Sequence, residues 1–151
     1  MTLIALNKKC VFGFILIALM SYGRASDASV KKFSGTDYSG VYSCRGLDAK
    51  EREYTAKMQL EIQFRYSQGS YAAYRLSLDI PGQGSFIGHA TSEADRMALH
   101  FTKTEKDTTE YGTGIAKMKR NKQGRWTFTN YFYSPEFQNG NMGFETCVRE
   151  K

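Results

Sequence analysis

Over residues 54–64 the chain alternates without interruption. Tyr54, Ala56, Met58, Leu60, Ile62 and Phe64 are apolar, and Thr55, Lys57, Gln59, Glu61 and Gln63 between them are polar. Successive side chains of a strand point to opposite faces, so this pattern builds one dry face and one wet face. Wound as a helix, the same residues would scatter around the axis. The pattern predicts a long half-buried strand, in an antiparallel sheet with a core on one side only.

The same logic extends along the chain. Shorter strands are predicted over 40–44, 72–80, 85–91, 97–102, 113–119, 125–133 and 142–148. Pro81-Gly82-Gln83-Gly84 and Asn121-Lys122-Gln123-Gly124 supply turns between them. Eight sequential strands leave two edges, and an unpaired edge is a template for association. Closing the sheet removes both edges. Cys44 in the first strand and Cys147 in the last would then be neighbours able to form a disulfide. The expected fold is all-β: an eight-stranded antiparallel up-and-down barrel closed by one disulfide. A two-sheet β-sandwich is the alternative that the same pattern permits.

The cysteines also bear on compartment. Lys8 and Lys9 precede an apolar run from Cys10 to Met20, and Gly23-Arg24-Ala25 places small residues where a signal peptidase reads them. That run is about half of the roughly 20 residues a spanning helix needs. Residues 1–25 are therefore expected to be a signal peptide, 26–39 a flexible N-terminal tail, and 40–151 the barrel domain. Cleavage would remove Cys10, leaving Cys44 and Cys147 in an oxidising compartment, periplasmic or secreted, where such a pair suggests a disulfide. Closing a loop of about 100 residues is worth roughly 4–5 kcal/mol in the chain-entropy model. Lys8, Lys9 and Arg24 would leave too, lowering the net charge from +6 to +3. The densest basic cluster, Lys117 to Lys122, reads as a solvated hairpin tip. No nucleic acid partner and no stable membrane insertion after cleavage are expected.

Eight short strands after a leader, opening with Gly40-Val41-Tyr42, resemble the calycin group of lipocalin-like and avidin-like barrels. Tyr42 stands where those families carry Trp in a Gly-x-Trp motif. A cysteine near each end of the domain is also similar to the small bacterial lysozyme-inhibitor barrels, although their loop motifs are not present. The resemblance implies the architecture and carries over no functional residue.

Candidate chemistry is sparse. Taking Ala94-Asp95 as a two-residue turn places Glu93 opposite Arg96, Thr91 opposite Ala98 and His89 opposite His100. Both histidines then lie on the wet face, close enough to reach one metal ion. Zinc normally takes a third protein ligand. Only Asp79, on the preceding strand, could supply one diagonally, so the pair reads as two surface side chains rather than a metal site. Carboxylates such as Glu51/Glu53 and Asp107/Glu110 fall in polar loops and read as solvated. No nucleophile–base motif and no cofactor signature is present, so neither an enzyme nor a cofactor is expected.

The densest constellation is aromatic. Residues 131–144, YFYSPEFQNGNMGF, mix Tyr and Phe with Ser, Asn and Gly, a composition that binding surfaces favour. Tyr131, Tyr133, Phe137, Asn139 and Asn141 are the expected partner-contacting residues. The interior is expected to be filled by Tyr54, Met58, Phe64, Tyr74, Phe86, Phe101, Trp126, Phe128 and Phe132, which moves recognition to loops and outer wall. The expected function is an exported, non-enzymatic domain that recognises a macromolecular partner through the aromatic loop, for example inhibiting a cell-wall-active enzyme or binding an envelope component. A carrier of a small apolar ligand inside the barrel is the alternative.

Overall fold

The computed structural model describes residues 31–50, 52–105 and 110–151. The expected signal peptide and the first part of the expected tail lie outside the described residues. Eight strands follow one another: β1 (Gly40–Asp48), β2 (Arg52–Ile62), β3 (Tyr71–Ile80), β4 (Gly84–Glu93), β5 (Arg96–Lys103), β6 (Tyr111–Arg120), β7 (Trp126–Ser134) and β8 (Asn141–Arg149). Each pairs antiparallel with the next, and β8 returns to pair with β1, so the sheet is a closed up-and-down barrel. The sandwich is excluded. Cys44 and Cys147 face each other across the closing pair and are joined as a disulfide.

Every expected strand is present, and most are longer than the sequence suggested. β1 runs past Cys44 to Asp48, paired with β2 on one side and β8 on the other. Its inward positions beyond Cys44 are Gly46 and Asp48, one lacking a side chain and one ionisable, which hides the alternation. β2 stops at Ile62, and here an expectation fails. Phe64 does not point inward: it starts a single 3₁₀ turn, Phe64–Tyr66, is exposed, and sets its ring 6.3 Å from that of Phe33.

The middle of the barrel is packed with Tyr42, Met58, Leu60, Tyr74, Leu76 and Phe128, all essentially inaccessible. Tyr42 meets Phe128 edge to face, ring centres 5.3 Å apart. Its buried hydroxyl donates to the Tyr38 carbonyl over 2.7 Å, satisfying the polar tip that an apolar interior would otherwise strand.

The two ends of the barrel differ. The end where β1 begins is closed by residues 31–39, the described part of the expected flexible tail, so this part packs on the barrel instead of hanging loose. Within it, Tyr38 is buried against Trp126 at 4.8 Å between ring centres and donates its hydroxyl to the Ala94 carbonyl over 2.7 Å. The Arg120 guanidinium lies 4.0 Å from the Trp126 ring centre and covers it from outside. Backbone bonds between Ser34 and Gly69, and between Gly69 and Lys31, hold the segment farther out. It shows no period because it caps the end of a barrel instead of lying in a sheet.

Candidate functional site

At the opposite end the interior turns polar. Asp48, Asn130, Ser134, Asn141 and Glu145 are buried there, on β1, β7 and β8. Strand parity explains the set. Cys147 points inward to the disulfide, so Glu145, Gly143 and Asn141 share its face; Phe128 and Phe132 point inward, so Asn130 lies between them on the same side. Asn130 and Glu145 are directly opposed across β7 and β8.

These residues line a cavity of about 50 Å³ together with Tyr54, Phe86, Phe101, Phe132 and Phe137. The half-buried Gln83, Glu110 and Phe137 mark its mouth. A buried water needs roughly 10–15 Å³, so the cavity holds only a few waters' worth of space. The expectation of a filled interior therefore holds for the middle of the barrel and not for this end.

Glu145 is the most constrained group in the cavity. The polar side chains of Tyr54 and Asn130 lie near its carboxyl group and favour its charged form, yet its Oε1 has no partner, and neither has Oδ1 of Asn130. Burial raises the pKa of this carboxyl to about 7, the polar groups of Tyr54 and Asn130 offsetting only part of that effect. Its carboxyl also lies within 4.8 Å of both sulfurs of the disulfide. Those cysteines are consumed in the S–S bond, so the group does not form a metal site.

Glu110 corrects a further expectation, since it is half-buried at the mouth and not solvated. Lys103 approaches its carboxylate at 3.5 Å and that of Glu105 at 3.3 Å. Glu51 and Asp107 lie outside the described residues. Gly114, on β6, makes room for Asn130: a Cβ there would collide with the amide oxygen.

The expected partner-contacting residues divide. Tyr131 and Tyr133 stand exposed on the outer wall of β7, and Asn139 is exposed at the tip of the loop with φ 63°. Phe137 turns toward the cavity. Asn141 is a correction, because it is 4% exposed and faces the interior, its side-chain oxygen accepting from the Met142 amide over 2.9 Å. The five residues therefore do not form one surface.

A different surface emerges around Tyr131. Cross-strand register places Leu47, Phe144, Tyr131 and Ile115 side by side on β1, β8, β7 and β6, each between 38% and 68% exposed. Tyr131 and Phe144 rings lie 5.4 Å apart, and Met142 and Tyr133 extend the patch toward the polar end. Ala98 and Thr91 continue the row onto β5 and β4 as small groups. Phe144, Met142, Ile115 and Leu47 were missed, although parity from Cys147 and Glu145 assigns the two β8 residues outward.

His89 and His100 stand opposite each other as the turn arithmetic required, both exposed. The neighbour of His89 on β3 is Arg75, whereas Asp79 pairs with Ser85 and accepts its hydroxyl over 2.8 Å. The register thus brings a guanidinium, not a third ligand, beside the imidazoles. Among the described residues no helix is long and apolar enough to cross a membrane. Compared with protein-family models, curated proteins and solved structures, the chain matches none, so the chemistry of its sites rests on its own residues.

Proposed function

We propose that this protein is an exported, non-enzymatic binding domain that docks a protein partner on the outer wall formed by β6, β7, β8 and β1. The observation that carries the reading is the in-register row Leu47, Phe144, Tyr131 and Ile115. Contiguous exposed apolar patches on a soluble barrel mark interaction sites. Aromatic rings and Met at the centre, with Arg45, Arg96 and Lys117 among the surrounding exposed groups, match the core-and-rim composition of protein interfaces. The closed barrel offers no free edge for an added strand, so the contact runs through side chains.

Export rests on the leader-like residues 1–25 and on a disulfide that an oxidising compartment would maintain. A lipid-sized cargo inside the barrel is disfavoured, because ligand pockets of that kind run to about 300–1,000 Å³ and the cavity holds about 50 Å³.

The test is capture from envelope extract by immobilised, disulfide-bonded protein. The unaltered protein and Gln59→Asp, which alters the polar wall of β2, should retain one partner in stoichiometric amount. The double variant Ile115→Asp/Phe144→Asp should lose it while keeping its melting temperature. Retention by the double variant overturns the proposal. A self-dimer in sedimentation that the double variant breaks would overturn it too, in favour of a second copy of this chain.

A further inference from the structure

The polar end of the barrel has a chemistry that the outer-wall reading does not use. Three carboxyl groups, those of Asp48, Glu110 and Glu145, line the cavity, and no Lys, Arg or His is among the described residues lining it. Lys103 reaches Glu110 from the rim without itself lining the space. The two unpartnered atoms deepest in this end, Glu145 Oε1 and Asn130 Oδ1, are both acceptors. A buried acceptor without a donor costs roughly 1–3 kcal/mol, more for a charged one. The remaining walls present five aromatic rings, those of Tyr54, Phe86, Phe101, Phe132 and Phe137, whose faces attract cations.

We propose that this cavity is a binding site for a small organic ammonium ion, whose N–H groups would be accepted by Glu145 and Asn130 and whose short carbon stem would lie against the rings. An anion is opposed by the three carboxyls, and a neutral alcohol would satisfy one acceptor at most. A metal ion fits less well. Among the described residues the only close trio of metal-ligating types near Glu145 is the one with Cys44 and Cys147, both already bonded. Asp48 and Glu110 therefore do not join Glu145 around one point, as a hard cation with six or more oxygen ligands requires. The size of the space restricts the ligand to a head of a few heavy atoms, with any longer stem leaving past Phe137.

Calorimetric titration of the disulfide-bonded protein with ethylammonium chloride, ethanol and sodium acetate tests this directly. At pH 8 ethylammonium should bind saturably and at least tenfold more tightly than the other two. Glu145→Gln should weaken it at least tenfold without lowering the melting temperature. If that variant fails to fold, the unaltered protein supplies a second readout. The ionisable groups around the site are Glu145 itself, Tyr54 on β2, Asp48 on β1 and Glu110 with its Lys103 partner at the mouth. With Glu145 titrating about pH 7 and ethylammonium charged throughout, binding should weaken about a hundredfold from pH 8 to pH 5. Equal binding of ethanol, undiminished binding by Glu145→Gln, or a flat profile over that range would each overturn the proposal. Because the outer wall plays no part, failure here leaves the docking surface standing, and the reverse also holds.

Discussion

The ring of Tyr54 lies directly over Gly46, its cross-strand partner on β1. A Cβ at position 46 would occupy the space of that ring, so Gly46 is the reason Tyr54 can extend over β1 toward Glu145, the partner of Gly46 on β8. Small and large side chains alternate at inward positions of small barrels for the same reason. Gly46→Ala should therefore displace a buried aromatic side chain, an overpacking change that costs roughly 1–3 kcal/mol. Urea denaturation measures it. The same substitution should raise the acidity midpoint of Glu145 further by withdrawing the Tyr54 hydroxyl. A stability change within about 0.5 kcal/mol, the range of neutral surface substitutions, would show that the ring shifts at no cost.

Glu145 should leave a signature in the pH dependence of stability. Burial raises its pKa in the folded protein to about 7, against 4.5 for a free glutamic acid side chain. Between those values the folded state binds more protons than the unfolded one, so stability falls as pH rises from about 4.5 to about 7 and levels off above. The full difference is on the order of 3 kcal/mol for this nearly inaccessible group. Glu145→Gln keeps the shape and should remove that decline, making the variant more stable than the parent at pH 8 and no more stable at pH 4. Parallel curves for the two proteins would mean that the carboxyl is solvated in solution.

How far the sequence could be read depends on whether an inward position carries an apolar side chain. Over 54–62 every inward residue is apolar, and the strand is plain. At Gly46, Asp48, Asn130, Asn141 and Glu145 the inward residue is small or polar, so hydropathy alone sees a loop or a wet face. Counting parity outward from Cys147 recovers Asn141 and Glu145 as inward, and counting from Phe128 recovers Asn130. The hairpin arithmetic at Ala94-Asp95 gave the correct register for β4 and β5 because a two-residue turn leaves no slack. What parity cannot supply is which polar groups across the barrel meet, since that depends on the stagger of strands distant in sequence. Phe64 shows the converse error: the alternation continues past Ile62 in the residues while the backbone turns away into a 3₁₀ turn.

The segment before β1 should contribute to stability like a core element. Tyr38 is 3% exposed, packs on Trp126 and donates its hydroxyl to the Ala94 carbonyl. Tyr38→Phe removes that bond alone and should cost about 1 kcal/mol. Tyr38→Ala empties the end of the barrel and should cost about 3–5 kcal/mol, as large-to-small aromatic changes in cores do. Chemical denaturation of both variants separates hydrogen bonding from packing. If Tyr38→Ala lost less than 1 kcal/mol, the segment would be resting on the barrel without closing it.

The disulfide is as inaccessible as the core around it, Cys44 being 2% exposed and Cys147 0%. Thiol–disulfide exchange requires a thiolate to reach a sulfur in line with the bond, and here the approach is blocked by the packed interior and by the Glu145 carboxyl close to both sulfurs. Reduction must therefore wait for the barrel to open, so its rate should follow the population of open molecules. With dithiothreitol at pH 8, the native protein should be reduced far more slowly than the urea-unfolded protein. Sub-denaturing urea should accelerate the reaction, the logarithm of the rate rising in proportion to the fall in stability. Once reduced, the chain loses the constraint on a loop with a sequence separation of 103, and its stability should drop by roughly 4–5 kcal/mol on the entropic account. Rapid reduction in the absence of urea would mean that β1 and β8 part locally, and that the closing seam is the weakest pairing in the barrel.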